Sequence, residues 1–196
     1  MAPAGGRRHK WPMPRLFVAL RPPPPIRERL FALMDDVPGA RWQDDEQLHL
    51  TLRFVGEVDG RTADDLALAL GGVRAPVPTV ALAGVGRFGD GRRAGALWAG
   101  VAPHDALAAL HRKVDQACIR AGLPPEGRAY LPHVTVARLP RSVAASPAVE
   151  AWLADSAGLA SEPFPLPHLV LYESHLARDG AYYEAVMRWP LEPEQE

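Results

Sequence analysis

Apolar and polar positions alternate in "HLTLRFVG", where Leu48, Leu50, Leu52 and Phe54 take one face of an extended chain and His49, Thr51 and Arg53 the other. The pattern predicts a half-buried strand over 49–56 whose outer face is oddly polar. The same alternation returns in "HVTVARL" at 133–139. Around these stretches, "RLFVAL" (Arg15–Leu20) is a short apolar run and reads as a buried strand. Pro24 and Pro25 open a helix predicted over 24–36, at positions where a missing N–H does no harm. Asp59 or Thr62 caps a second helix that stops near Gly71 and Gly72. Strands are predicted over 77–89 and 94–101, joined through the turn signal "DGRR". Leu107, Leu110, Val114, Ala117 and Cys118 share one stripe of a helix over 103–121. A short helix over 147–154 follows Ser146, and "FPLPHLVLYES" and "AYYEAVMRW" read as strands joined across "ARDG".

The succession strand, helix, H-x-T strand, helix, strand occurs twice, with His49 and His133 separated by 84 positions. A period this long indicates one duplicated lobe. The expected fold is α+β and bilobal, with two mainly antiparallel sheets around a central groove, helices outside and a pseudo-two-fold axis. Residues 13–190 form a single domain with halves at about 13–93 and 94–190, preceded by a flexible extension (1–12) and followed by a tail (191–196). Such a pairing puts His49 and Thr51 on one wall of the groove and His133 and Thr135 on the other.

Composition narrows the function. The chain has 196 residues, 47% of them apolar, enough for a real core. A net charge of −1, from 22 basic and 23 acidic residues, excludes binding of nucleic acid by bulk charge, so an anionic partner needs a local cluster of basic groups. A single cysteine, Cys118, rules out an internal disulfide and a cysteine zinc site, and its place on the apolar stripe predicts an inert buried thiol. No run approaches the ~18 apolar residues of a membrane span, and no signal-type stretch follows the basic N-terminus. A cytoplasmic chain without a membrane partner is expected.

Two histidines on facing walls can divide proton transfer. One, neutral, takes a proton from water; the other, charged, gives one to a leaving oxygen. Thr51 and Thr135, two residues on, share the face of their histidines and can hydrogen-bond phosphate oxygens between the imidazoles. That is a metal-free design for in-line phosphodiester cleavage. No carboxylate joins these faces to complete a metal-ligand set, and no G-x-S-x-G marks a serine nucleophile. No cofactor is expected.

"RWQDDEQLHLTLRFVGEV" and "YLPHVTVARL" closely resemble the two signatures of the 2H phosphoesterases, above all the bacterial and archaeal RNA 2′,3′-cyclic phosphodiesterases, also called LigT-like 2′-5′ RNA ligases. The resemblance runs over about 13–188. It takes in "RLFVALRPP" as the opening strand, "GRFGDGRRAGALWAGV" as the central segment and "LYESHLARDGAYYEAV" as the closing hairpin. It implies a bilobal α+β fold and hydrolysis of a 2′,3′-cyclic phosphate on RNA to a 2′-phosphomonoester. By the same resemblance His49 is the proton donor to the leaving 3′ oxygen and His133 the proton acceptor, and Thr51 and Thr135 hold the phosphate. The implied partner is RNA with a cyclic-phosphate end, a cyclic nucleotide or a free nucleotide, bound by a monomer.

Four further residues are candidates for substrate contact. Arg53 shares the His49 face by alternation and suits phosphate. Arg138 reaches the His133 face only if a bulge or the strand's end turns it. Phe17 offers a ring for stacking on a base or for the core, and Tyr130 precedes the second motif. Two other functions fit the same residues: joining or cleaving 2′-5′ linkages, and a module that binds nucleotides or RNA ends with little turnover.

Overall fold

Short β-branched and leucine-rich runs separated by prolines and glycines build a layer of strands, and amphipathic helices cover one of its faces. The computed structural model describes residues 13–89, 93–177 and 180–192. Residues 1–12, expected as an extension, 90–92 and 178–179, within the two expected turns, and 193–196 of the expected tail lie outside them. In chain order the elements are β1 (Arg15–Leu20), α1 (Pro24–Phe31), β2 (Arg41–Trp42), a one-turn 3-10 helix (Asp45–Gln47), β3 (Leu50–Glu57), α2 (Gly60–Gly71), β4 (Thr79–Phe88), β5 (Gly95–Ala102), α3 (Asp105–Arg120), β6 (His133–Leu139), α4 (Pro147–Asp155), β7 (Phe164–Pro165), β8 (His168–Ala177) and β9 (Gly180–Pro190).

The strands follow the order β7-β4-β5-β6-β3-β1-β8-β9, with β2 added beside β6. The expected two sheets are joined into one curled nine-stranded sheet, of which β7-β4-β5-β6 and β3-β1-β8-β9 are the halves. They meet along β3 and β6 through a single antiparallel pair, Leu50 with Val134. The half-sheets do not coincide with the halves of the chain. β4, from the first half, pairs with β5, and β8, from the second half, pairs with β1. The run "FPLPHLVLYES" is accordingly two strands: Phe164–Pro165 completes one half-sheet beside β4, and after Pro167 the chain crosses to the other. A proline cannot donate to a ladder, so the break falls where the sequence already carries one.

The helices bury the faces their spacing predicts. α3 buries Leu107, Leu110, Val114, Ala117 and Cys118, and packs on β3 and α2. Gly122, at φ 87°, ends it, with the Leu123 N–H returning to the Cys118 carbonyl. Burial raises the Cys118 thiol to about 11, as an inert buried cysteine requires. Asp59 caps α2 through the Thr62 N–H at 2.8 Å. α1 stops at Phe31, short of the expected 24–36. Ser146 takes the cap position of α4, yet its hydroxyl makes no capping bond. The tail is docked where it begins: Leu191 is buried, and Glu192 exchanges backbone hydrogen bonds with Ala75 and Val77. One large core lies beneath the helices. A small second cluster, Phe17, Ala19, Val170 and Tyr172 with Tyr183 against it, lies on the other face of the β1 half-sheet.

Candidate functional site

The seam between the half-sheets sets the geometry. Leu50 and Val134 face the core, at 1% and 0% exposure. Antiparallel register through this pair runs His49 alongside Thr135 and Thr51 alongside His133, all on the opposite face. An antiparallel pair carries its own local two-fold axis, so duplicated H-x-T strands joined this way bring the two histidines and two threonines into one square. All four half-buried side chains line a cavity of about 450 Å³, with Phe54 and Arg138. His49 stands one residue before β3 begins, not within the strand as the alternation predicts. The 3-10 turn ahead of it holds it there. Asp44 and Gln47 form a capping box, Arg21 and Arg27 bind Asp45 at 2.6 and 2.7 Å, and Gln47 Nε2 donates to the Ala181 carbonyl on β9.

Both motif strands bulge at the residue after the threonine. Ala19 pairs with Thr51 but Val18 with Arg53, leaving Leu52 over. Trp98 pairs with Thr135 but Leu97 with Ala137, leaving Val136 over. Each bulge reverses the alternation beyond it. On β6 this turns Arg138 into the cavity, meeting the condition the sequence set for it. On β3 it sends Arg53 to the helix side and brings Phe54 to the cavity. The expectation for Arg53 is therefore corrected. Arg53 is 8% exposed, and its guanidinium is occupied by Asp115 (3.0 Å), Glu126 (3.1 Å) and the carbonyls of Phe54 and Pro124 (2.7 and 2.6 Å). Phe54, read as core from its alternation, is 42% exposed and stacks on Phe17 at 5.7 Å.

Phe17 itself is 1% exposed, so it presents no face to a base. It lies under His49, with ring centroids 4.8 Å apart, in an aromatic floor completed by Tyr172 and Tyr183. His133 has its own floor: Phe88 edge-on at 4.8 Å and Trp98 at 6.1 Å. Trp98 lies over Gly86, its cross-strand partner, where a Cβ would run into the indole. Tyr130 is half-buried at the cavity wall, stacked on His111 at 4.2 Å. His111, Glu126 and Arg128 also line the cavity. No pattern in the sequence singles these out, because α3 and the segment before β6 bring them in from outside the two H-x-T motifs.

The floors govern the charge state of the histidines. Burial pushes His49 down to about 4; the Gln47 carbonyl opposes this, and the charges of Arg138 and His133 reinforce it. Its Nδ1 is buried with no hydrogen-bond partner of normal geometry. Burial also lowers His133, against a hydrogen bond to Leu131 and with Arg138 adding to it. Nδ1 of His133 lies 2.7 Å from the Leu131 carbonyl, which can only accept, so Nδ1 carries the hydrogen and the neutral ring keeps Nε2 as a free acceptor. Among the described residues no three His, Cys, Asp or Glu side chains group as metal ligands, and no helix is long and apolar enough to cross a membrane.

A seam of antiparallel half-sheets with helices on one face is the fold of a known group of proteins. The model of the 2′-5′ RNA ligase superfamily matches residues 15–178, and the chain belongs to that superfamily. It is 31% identical over 165 residues to the RNA 2′,3′-cyclic phosphodiesterase of Geobacillus stearothermophilus, covering 79% of this chain and 49% of that protein, and so spans about half of that relative's length. It is 29% identical over 182 residues to the RNA 2′,3′-cyclic phosphodiesterase of Escherichia coli K12, covering 90% of this chain and 96% of that one. The crystal structure of E. coli LigT complexed with 3′-AMP matches with a TM-score of 0.71 at 27% identity, covering 91% of this chain and 98% of that one.

Proposed function

We propose that the protein hydrolyses 2′,3′-cyclic phosphate ends of RNA to 2′-phosphomonoesters without a metal ion. The observation that carries this is the square of His49, Thr51, His133 and Thr135 across the Leu50–Val134 pair, opening into one cavity. The names of the relatives and the 3′-AMP complex of E. coli LigT support the substrate class. His133, with Nε2 free, takes a proton from water as the oxygen attacks phosphorus. The bond from phosphorus to the 3′ oxygen breaks, and His49 gives that oxygen its proton. Thr51 and Thr135 donate hydrogen bonds to the non-bridging oxygens, and Arg138 balances their charge.

His49 is neutral in the free protein near pH 7, so its proton must arrive with the substrate. The phosphate's negative charge favours that uptake by offsetting the repulsion from Arg138 and His133. The family description also names ligation, in which the two histidines exchange roles. RNA ends as substrate agree with the cytoplasmic location read from the sequence.

The test is an oligoribonucleotide ending in 2′,3′-cyclic phosphate, incubated with the protein in EDTA. Release of a 2′-phosphomonoester is expected. A 3′-phosphate product, no turnover, or strict dependence on added metal would overturn the reading, and accumulation of 2′-5′-joined product would give ligation precedence.

A further inference from the structure

A second cavity, of about 480 Å³, adjoins the first and shares Phe88 and Arg138 with it. Its floor is one row running across four strands. Arg41 on β2 pairs with Arg138 on β6, Arg138 pairs with Ala96 on β5, and Ala96 pairs with Phe88 on β4. Directly paired residues on an antiparallel ladder project to the same face, so the row presents two cations, a small floor and an aromatic wall, in that order. The arginines are an anomaly. Like charges directly opposite each other destabilise a sheet. Both are exposed, and neither has an ion-pair or hydrogen-bond partner among the described residues, whereas Arg21, Arg27 and Arg53 are each held by carboxylates.

Two guanidiniums with no counter-charge among the described residues, in one concave site, suit a phosphate group, which both can bind through planar, forked donors. Phe88 is 40% exposed and stands two strand spacings, about 10 Å, from Arg138, the scale of one nucleotide. Its ring also contacts His133 and Trp98, so the row continues directly into the proposed catalytic cavity.

We propose that Arg41, Arg138, Ala96 and Phe88 form a subsite for the RNA chain next to the cyclic end. The phosphodiester on the 5′ side of the terminal nucleotide binds between Arg41 and Arg138, and the preceding base stacks on Phe88. This rests on the cyclic-phosphate reading for the direction of the chain, but not for the anion site itself. Its consequence is a preference for oligonucleotides over mononucleotides. Arg41 is the residue that distinguishes them, because Arg138 also serves the cavity that holds the reacting phosphate.

Two substrates test it: adenosine 2′,3′-cyclic phosphate, which has no 5′ phosphate, and the dinucleotide ApA ending in 2′,3′-cyclic phosphate. Arg41→Ala is expected to lower the dinucleotide-to-mononucleotide ratio of kcat/KM about tenfold, mainly through KM, and Arg41→Lys to restore part of it. The melting temperature of Arg41→Ala is expected to be no lower than that of the wild type, since one of two opposed like charges is gone. An unchanged ratio overturns the subsite. Binding of ApA with a 3′-phosphate, measured by calorimetry on wild type and Arg41→Ala, separates this inference from the catalytic one. If the wild type turns over neither substrate, the cyclic-phosphate reading fails. In that case weaker ApA binding by the variant still supports the anion site, and equal binding overturns it.

Discussion

Replacing Arg53 with methionine keeps an unbranched chain of similar length and removes only the guanidinium. In the structure that group is the hub between β3, α3 and the segment leading to His133. It donates to Asp115 and Glu126 and to the carbonyls of Phe54 and Pro124. Asp115 Oδ1 also accepts the Glu126 N–H at 3.0 Å. Without Arg53, two carboxylates only 17% and 16% exposed lose their shared cation, and two carbonyls lose their donor. Breaking a buried ion pair costs about 3–5 kcal/mol, and the partial exposure of both carboxylates puts this one near 3 kcal/mol. For a chain of this size that lowers the melting temperature by about 6–12 °C. Urea unfolding and a thermal melt measure the loss. Adding Asp115→Leu is expected to recover at least ~1 kcal/mol, the signature of coupled partners in a double-mutant cycle. kcat/KM on a cyclic-phosphate substrate is expected to fall only severalfold, because the arginine faces away from the cavity. A variant that melts like the wild type but loses a hundredfold or more in kcat/KM would refute the reasoning, since the arginine would then be a phosphate ligand.

His49→Ala and His133→Ala are each expected to cut turnover by about 10²–10⁴-fold while leaving the circular dichroism spectrum intact. The depressed His49 also predicts a pH dependence of stability. Its folded value of about 4 lies below the ordinary 6.5, so the unfolded chain binds the extra proton between those limits, and stability, full above 6.5, falls as pH drops toward 4. His49 alone accounts for about 3 kcal/mol of that fall, so His49→Gln should flatten the slope of urea-unfolding free energy against pH; an unaltered slope would count against the burial argument. Gly86→Ala is expected to displace Trp98 from beneath His133, lowering both the melting temperature and kcat; normal values for both would mean that the indole finds another seat. Phe17→Ala is expected to cost about 3–5 kcal/mol in urea unfolding, and Phe54→Ala about 1 kcal/mol or less with a rise in KM, a contrast that reverses if Phe54 rather than Phe17 is the buried ring.

Much of this protein is determined by local sequence. The apolar stripe of α3, the Asp59 cap, the turn prolines and the paired H-x-T faces follow from periodicity and from side-chain chemistry that acts within a few residues. The duplication also implied a two-fold arrangement, and the Leu50–Val134 pair realises it. What the sequence left open depended on neighbouring strands. Alternation cannot reveal a bulge, because a bulge exists only where one strand has a residue more than its partner. The bulges at Leu52 and Val136 therefore decided that Arg53 turns inward to Asp115 and that Phe54 and Arg138 turn to the cavity. Exchange of β4 and β8 between the half-sheets was equally hidden, since each strand has the same pattern whichever neighbour it joins. So was the pairing of Arg41 with Arg138, which begins 97 residues apart in the chain and meets only when β2 settles beside β6. The residue types that can move protons and hold phosphate were legible from the start; which of them face the cavity was decided by register.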